Sequence, residues 1–295
     1  MIQGQGYVPA NDGVRLFYEQ LGNGPRALVV LNGYYLIDDF KYLSDDRTVV
    51  FLDLRNRGRS DYIADDSRLT RGIHQDVDDL EAVRQHLGVS SIDILAHSYA
   101  GTVAFLYLLK YPARVNRIVA IGPMQPDLSK QYPPELRNND AILQNFFSSA
   151  RQLEKERGSL GPQEFCRRFW SILTTIYVAD PAHVARIRWD RCDLETELNG
   201  MKYWVRHLIP SIQALAFTAT DFRDTPHPVL IVHGRKDRSS PYGGGRDWTA
   251  MIPHARLLTV DGAAHAPWIE FPEEVLESIR TFLDGTFPDS AEDIS

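Results

Sequence analysis

Cysteine is scarce in this sequence, with only Cys166 and Cys192 present. That excludes a small disulfide-stapled scaffold. A chain of 295 residues can bury a core without staples, so both are expected as reduced thiols of a cytoplasmic protein. No apolar stretch approaches ~18 residues, so no membrane-spanning helix and no membrane partner are expected. Met1-Ile2-Gln3-Gly4 carries neither a basic region nor an apolar segment, which predicts no secretory signal. Basic residues are outnumbered, 32 against 39 acidic, for a net charge of −7. With no basic block to offset that balance, no nucleic-acid partner is expected. No His/Cys/Asp/Glu cluster has metal-ligand spacing, so the sequence predicts no metal, and no cofactor is expected. No internal repeat is visible, and the oligomeric state is left open.

What is present is an alternation of buried strands and helices. Ala27–Leu31 and Thr48–Leu52 are continuous apolar runs, the pattern of strands covered on both faces, and Ile92–Leu95, Val115–Ile121, Pro226–Val232 and Ala255–Val260 are read as further buried strands. Val14–Leu21 alternates as a strand after a tight Asn11-Asp12-Gly13 turn. Ile73, Val77, Leu80, Val83 and Leu87 recur at helical spacing. Together these predict an α/β fold with a mostly parallel sheet flanked by helices. The alternation stops near Pro123–Pro126 and resumes near Pro226, and the stretch between is helical in tone and rich in Phe, Trp and Tyr. The expected organisation is therefore a core of residues 1–124 and 225–295 with an inserted helical cap at 125–224. The alternative is that the middle stretch belongs to the main layer. The last helix is expected at Pro272–Leu283, and the acidic tail beyond it is expected to fray.

The chain is organised around Ile94-Leu95-Ala96-His97-Ser98-Tyr99-Ala100-Gly101. A buried strand precedes Ser98 and a helix follows it, with small residues at 96, 100 and 101, so the serine sits on a sharp strand-to-helix turn. Such a turn lifts the hydroxyl clear of the sheet and directs the Tyr99 N–H toward whatever the hydroxyl attacks. Taken alone, the pentamer also fits a helix N-cap serine. Ala-His-Ser-Tyr-Ala-Gly resembles the nucleophile elbow of the α/β-hydrolase family, with alanines for the outer glycines. Within that family the chain is most similar to proline iminopeptidases and small-ester hydrolases with a helical cap.

The resemblance implies a Ser-His-Asp triad. A serine hydroxyl needs a base within reach, and the base needs a carboxylate to fix its tautomer. The family order of serine, acid, histidine is met by Ser98, by Asp237 in His233-Gly234-Arg235-Lys236-Asp237, and by His265 in Asp261-Gly262-Ala263-Ala264-His265. Pro267, Glu270 and Pro272 resemble the family's pattern after the histidine. Asp127, beyond the strand ending at Ile121, is the alternative acid. His97 and His233 are expected in supporting roles. The resemblance assigns the oxyanion hole to the backbone N–H groups of Tyr99 and Tyr34, the latter in Asn32-Gly33-Tyr34-Tyr35, where the family commonly has His-Gly and a later proline. Asp53 to Ser60 resembles the family's Asp-x-Arg-Gly-x-Gly-x-Ser turn, with Asn56 for the first glycine, and is expected to be structural.

These readings imply a serine hydrolase that cleaves an ester, lactone or amide of a small apolar substrate through an acyl-enzyme. Tyr35, Trp170 and Trp204 are the candidate substrate-binding residues. Two alternatives stand beside it: a proline iminopeptidase-type aminopeptidase, and a non-hydrolytic lyase, cyclase or receptor on the same fold. An aminopeptidase must meet an ammonium with carboxylates, for which Glu154, Glu156, Glu164, Glu195 and Glu197 are the available acids.

Overall fold

The computed structural model describes residues 2–294. Nine strands form one sheet in the order β1-β2-β4-β3-β5-β6-β7-β8-β9. They are β1 (Ile2–Pro9), β2 (Arg15–Leu21), β3 (Ala27–Leu31), β4 (Thr48–Leu52), β5 (Ile92–His97), β6 (Val115–Ile121), β7 (Val229–Gly234), β8 (Ala255–Val260) and β9 (Ala291–Glu292). From β4 to β8 every pairing is parallel, and antiparallel pairs close the two edges. β3, β5 and β7 are buried along their whole length, as apolar runs between two helical layers must be. Their side chains feed two hydrophobic clusters, one on each face of the sheet.

The helices that position the site are α1 (Gly33–Phe40), α2 (Ile73–His86) and α3 (Tyr99–Lys110), each leaving the carboxyl end of a strand or the loop beyond it. The chain leaves the sheet at Ile121 and rejoins it at Val229, and β6 and β7 are nevertheless adjacent. Between them lie α4 (Ala141–Glu156), α5 (Pro162–Leu173) and several short turns, with no strand among the described residues there. α4 is capped by Asp140, whose carboxylate accepts the N–H groups of Ile142 and Leu143.

Three expectations need correcting. β1 has no counterpart in the sequence reading, because Gly4 and Gly6 interrupt its alternation. It forms because the turn at Gly13, with φ of 84°, folds it back on β2. The acidic tail does not fray: Ala291 and Glu292 pair with Leu258 and Leu257 as an antiparallel edge strand. Phe287 holds it there, with its ring against Phe282 at 5.0 Å and beneath Arg256 at 4.7 Å. Nor are the cysteines free thiols. Cys166 on α5 and Cys192 form a disulfide, with Cα atoms 5.8 Å apart. This excursion has no strand ladder of its own, and the bond fixes α5 to the following loop instead. No described helix is long and apolar enough to cross a membrane.

Candidate active site

Ser98 occupies the turn between β5 and α3 at φ 60° and ψ −130°. That is a strained conformation for a residue with a side chain, and the close packing around it explains its neighbours. Ala96 and Ala100 are fully buried, and a Cβ on Gly101 would come within 2.9 Å of Pro123. The Ser98 N–H donates to the Ile121 carbonyl and the Met124 N–H donates to the Ser98 carbonyl, tying the turn to the end of β6.

Asp237 and His265 follow β7 and β8. The Nδ1–H of His265 donates to Oδ2 of Asp237 at 2.7 Å, and both side chains are completely buried. Oδ1 of Asp237 accepts the N–H groups of Ser239 and Ser240 at 2.7 and 2.8 Å. Burial works to raise the Asp237 pKa, but the facing imidazoles of His265 and His233 and the hydrogen bonds they donate hold it well below the usual range. An acceptor-only carboxylate fixes His265 with its proton on Nδ1, leaving Nε2 as an open base. Nε2 is buried and has no hydrogen-bond partner among the described residues. The crossing between β6 and the excursion lies against this pair. A Cβ on Gly122 would stand 3.0 Å from Nδ1 of His265 and 3.2 Å from Oδ2 of Asp237, and its φ is +50°.

The backbone of His265 is held as firmly as its ring. Glu270 accepts the N–H of Ala264 through one oxygen and those of Ala179 and Asp180 through the other. His97 supplies a further support. Its Nε2 lies 3.1 Å from the His265 carbonyl and its Nδ1 lies 3.1 Å from the Tyr35 hydroxyl. A carbonyl only accepts, so Nε2 carries the proton and Nδ1 receives the phenol. Burial first, then the neighbouring His265, keep the His97 pKa well below its ordinary value, consistent with a neutral ring. His233 also touches the acid: its Nε2 is 3.0 Å from the Ser240 carbonyl and 3.3 Å from Oδ2 of Asp237. Asp127 is elsewhere, exposed and bound to Ser129.

The residues expected to form an oxyanion hole are arranged less simply. Asn32 takes a left-handed conformation at φ 61°, and α1 starts at Gly33, where a Cβ would lie 2.6 Å from the backbone of Phe51. The Tyr34 N–H is one of the groups favouring the ionised form of Asp53, so it has a competing acceptor. The Tyr99 N–H stands in the first turn of α3, where helix N–H groups have no intrahelical partner. Asn56 has φ 53°, as the turn from Asp53 to Ser60 requires, and Arg59 donates twice to Oδ2 of Asp53.

Ser98 opens onto a cavity of about 920 Å³ beneath the excursion. Tyr34, Tyr35, Tyr99, Trp170 and Trp204 all line it, so the sequence-derived candidates converge there. Asp237 and His265 do not line it, but the His265 ring packs against those of His97 and Tyr177, which do. No group of three or more potential metal ligands occurs among the described residues.

A family model described as alpha/beta hydrolase fold matches residues 31–272. The chain belongs to the α/β-hydrolase family. Among its relatives, "Proline iminopeptidase" of Heyndrickxia coagulans is 25% identical over 95% of this chain and 98% of its own length. "Bifunctional esterase/perhydrolase DCH" of Acinetobacter calcoaceticus is 25% identical over 94% of this chain and 99% of its own. Among solved structures, a "2-hydroxy-6-oxo-6-phenylhexa-2,4-dienoate hydrolase" from Rhodococcus superposes with a TM-score of 0.73. It covers 97% of this chain and 100% of its own, at 19% identity.

Some residues of this α/β-hydrolase site carried no signal in the sequence. Arg57 lines the cavity from the turn after β4, where the family pattern leaves the position open. The Tyr177 ring, from within the excursion, meets that of His265 at 4.8 Å in a tilted arrangement. Glu197 could be named only as one acid among five. It is buried, accepting the Gly58 N–H at 3.0 Å and the Tyr34 hydroxyl at 3.3 Å. Such long-range contacts leave no local pattern to read.

Proposed function

We propose that this chain is a serine hydrolase acting on a small ester, lactone or amide, with the excursion from 125 to 224 as its cap. Ser98 attacks the carbonyl carbon, and Nε2 of His265 takes the hydroxyl proton and returns it to the leaving group. Asp237 holds the imidazole and stabilises its charged form. Water, activated by the same nitrogen, then cleaves the acyl-enzyme. The Tyr99 N–H, joined by that of Tyr34 once it is drawn from Asp53, stabilises the oxyanion. The observation that carries the reading is the His265–Asp237 pair at 2.7 Å with Nε2 unpartnered, behind a cavity that Ser98 lines.

The iminopeptidase relative favours a second reading, with a substrate ammonium in the cavity. Of the five candidate acids only Glu154 and Glu197 line it. Glu154 is paired with Arg157 at 2.8 Å, and Glu197 already serves Gly58 and Tyr34. The tyrosine and tryptophan walls suit an apolar acyl group better. Reaction with an organophosphonate should therefore label Ser98 and be lost in Ser98→Ala. A neutral 4-nitrophenyl ester should exceed proline 4-nitroanilide in kcat/KM. Labelling of another serine in Ser98→Ala would sink the nucleophile, and a tenfold advantage for the anilide would replace the esterase reading with the aminopeptidase one.

A further inference from the structure

The cavity holds a cation that the proposed chemistry does not use. Arg57 lies in the Asp53–Ser60 turn, where the neighbouring arginines are already committed. Arg55 is paired with Asp79 and Asp12, and Arg59 with Asp53 and Glu19. Arg57 alone of the three enters the cavity, and among the described residues it has no carboxylate oxygen within 4.0 Å. The other basic residues on the wall are matched at its rim. Arg157 pairs with Glu154, while Lys202 and Arg206 share Asp66.

The guanidinium is held by aromatic faces. It lies over the rings of Tyr99 and Tyr203, 5.9 and 5.7 Å from their centroids. Gly200 permits this, because a Cβ there would come within 2.7 Å of Nη1. Around it the polar groups are incompletely satisfied. The hydroxyls of Tyr99 and Tyr203 are buried without partners, as are both carboxyl oxygens of Asp76. Burial and the nearby Asp79 push Asp76 well above the usual carboxylate range, against the pull of Arg55 and Arg57. Glu197, whose oxygens accept the Gly58 N–H and the Tyr34 hydroxyl, makes no ion pair with Arg57 within 4.0 Å and offsets its charge only at a distance. A largely buried guanidinium with no carboxylate oxygen within 4.0 Å, lying over the ring of the residue that follows Ser98, suits an anionic group in a cavity walled largely by aromatic rings.

We propose that Arg57 binds a carboxylate on the substrate, so that the preferred substrate is an acid with an apolar body whose scissile carbonyl reaches Ser98. This rests on the reading that the cavity is the substrate site. It narrows the class from any small ester or amide to those bearing a free acid group. Arg57 offers the carboxylate a forked, charge-assisted contact that an uncharged isostere cannot use.

Two measurements that need no turnover test this. Calorimetry on the Ser98→Ala protein should show 4-phenylbutyrate binding at least tenfold tighter than 4-phenylbutanamide, and the preference should collapse in the Ser98→Ala/Arg57→Gln protein. On the wild-type protein, phenylglyoxal modification of the Arg57 peptide, followed by mass spectrometry, should be slowed by the acid and not by the amide. That second readout stands even where Arg57→Gln fails to fold. Equal binding of acid and amide, a preference that survives Arg57→Gln, or equal protection by both ligands would overturn the proposal. If the hydrolase reading also holds, kcat/KM for 4-nitrophenyl hydrogen glutarate over its methyl ester should fall at least tenfold in Arg57→Gln. A protein that turns over neither ester but keeps the binding preference refutes the hydrolase reading and leaves Arg57 as the anion site.

Discussion

Single side chains in this protein are set by what they face. Asp237 keeps its charge in a fully buried position because two imidazoles and two backbone N–H groups surround it. Asp237→Asn removes that charge and presents an amide to Nδ1, which favours the wrong tautomer of His265. Turnover should fall by a factor on the order of 10⁴, with Asp127→Asn nearly without effect; steady-state kinetics of both variants on one ester decides between the two acids. Asp93, at the start of β5, is the opposite case. Burial lifts its pKa to about 6 against the opposing pull of Arg117, Arg47 and Arg26, and its Oδ1 has no partner. Below about pH 4 the carboxyl is protonated both folded and unfolded, so it contributes no pH-dependent penalty. As pH rises from there to about 6, the unfolded chain releases the proton first and stability falls. Above that the penalty levels off at roughly 3 kcal/mol. Asp93→Asn should thus approach that gain at pH 7 and lose it by pH 4, as urea unfolding at the two pH values would show. A gain independent of pH would place the effect in packing instead.

Elements differ in how plainly the sequence announces them. β3, β4, β6 and β8 have the bounds expected from the sequence, because a strand buried on both faces is mostly apolar; in β6 and β8 the polar Asn116, Arg117, Arg256 and Thr259 fall at the positions that are not buried. The turn at Ser98 was equally legible, since small residues are compulsory there. β1 and β9 were not, because each is an edge element held by a turn or by one aromatic ring, and neither leaves a periodic trace. The disulfide escaped for a related reason: two cysteines 26 residues apart reveal nothing of the path between them. That bond ties α5 to the segment that also carries Trp189, whose ring stacks on Trp268 at 5.8 Å and meets Tyr35 at 4.9 Å. Replacing both cysteines by serine should lower unfolding stability by roughly 2–4 kcal/mol, measured by denaturation without reductant. Alkylation of the unfolded, unreduced wild type should find no free thiol. Two alkylated cysteines would return the pair to the reduced state expected from composition.

At the scale of the molecule, the sheet is continuous although the chain is not. β6 and β7 pair residue for residue from Ile118–Val229 to Ile121–Val232, and the whole excursion is made between them. Closing a long loop costs little at equilibrium, since the entropy grows only with the logarithm of its length, but it delays the pairing that depends on it. Synthesis from the amino terminus sharpens that delay into an order of events. The Ser98 turn, its strand and β6 leave the ribosome first, then the entire excursion, and only afterwards the strands that deliver Asp237 and His265. Throughout that interval β6 shows an open edge of apolar parallel strand, the kind of surface that recruits other chains. A chain ending at Thr225 should therefore collect in the insoluble fraction while the complete chain stays in solution, as centrifugation after expression would show. Translation itself thus holds Ser98 in place, without His265, until the last quarter of the message has been read.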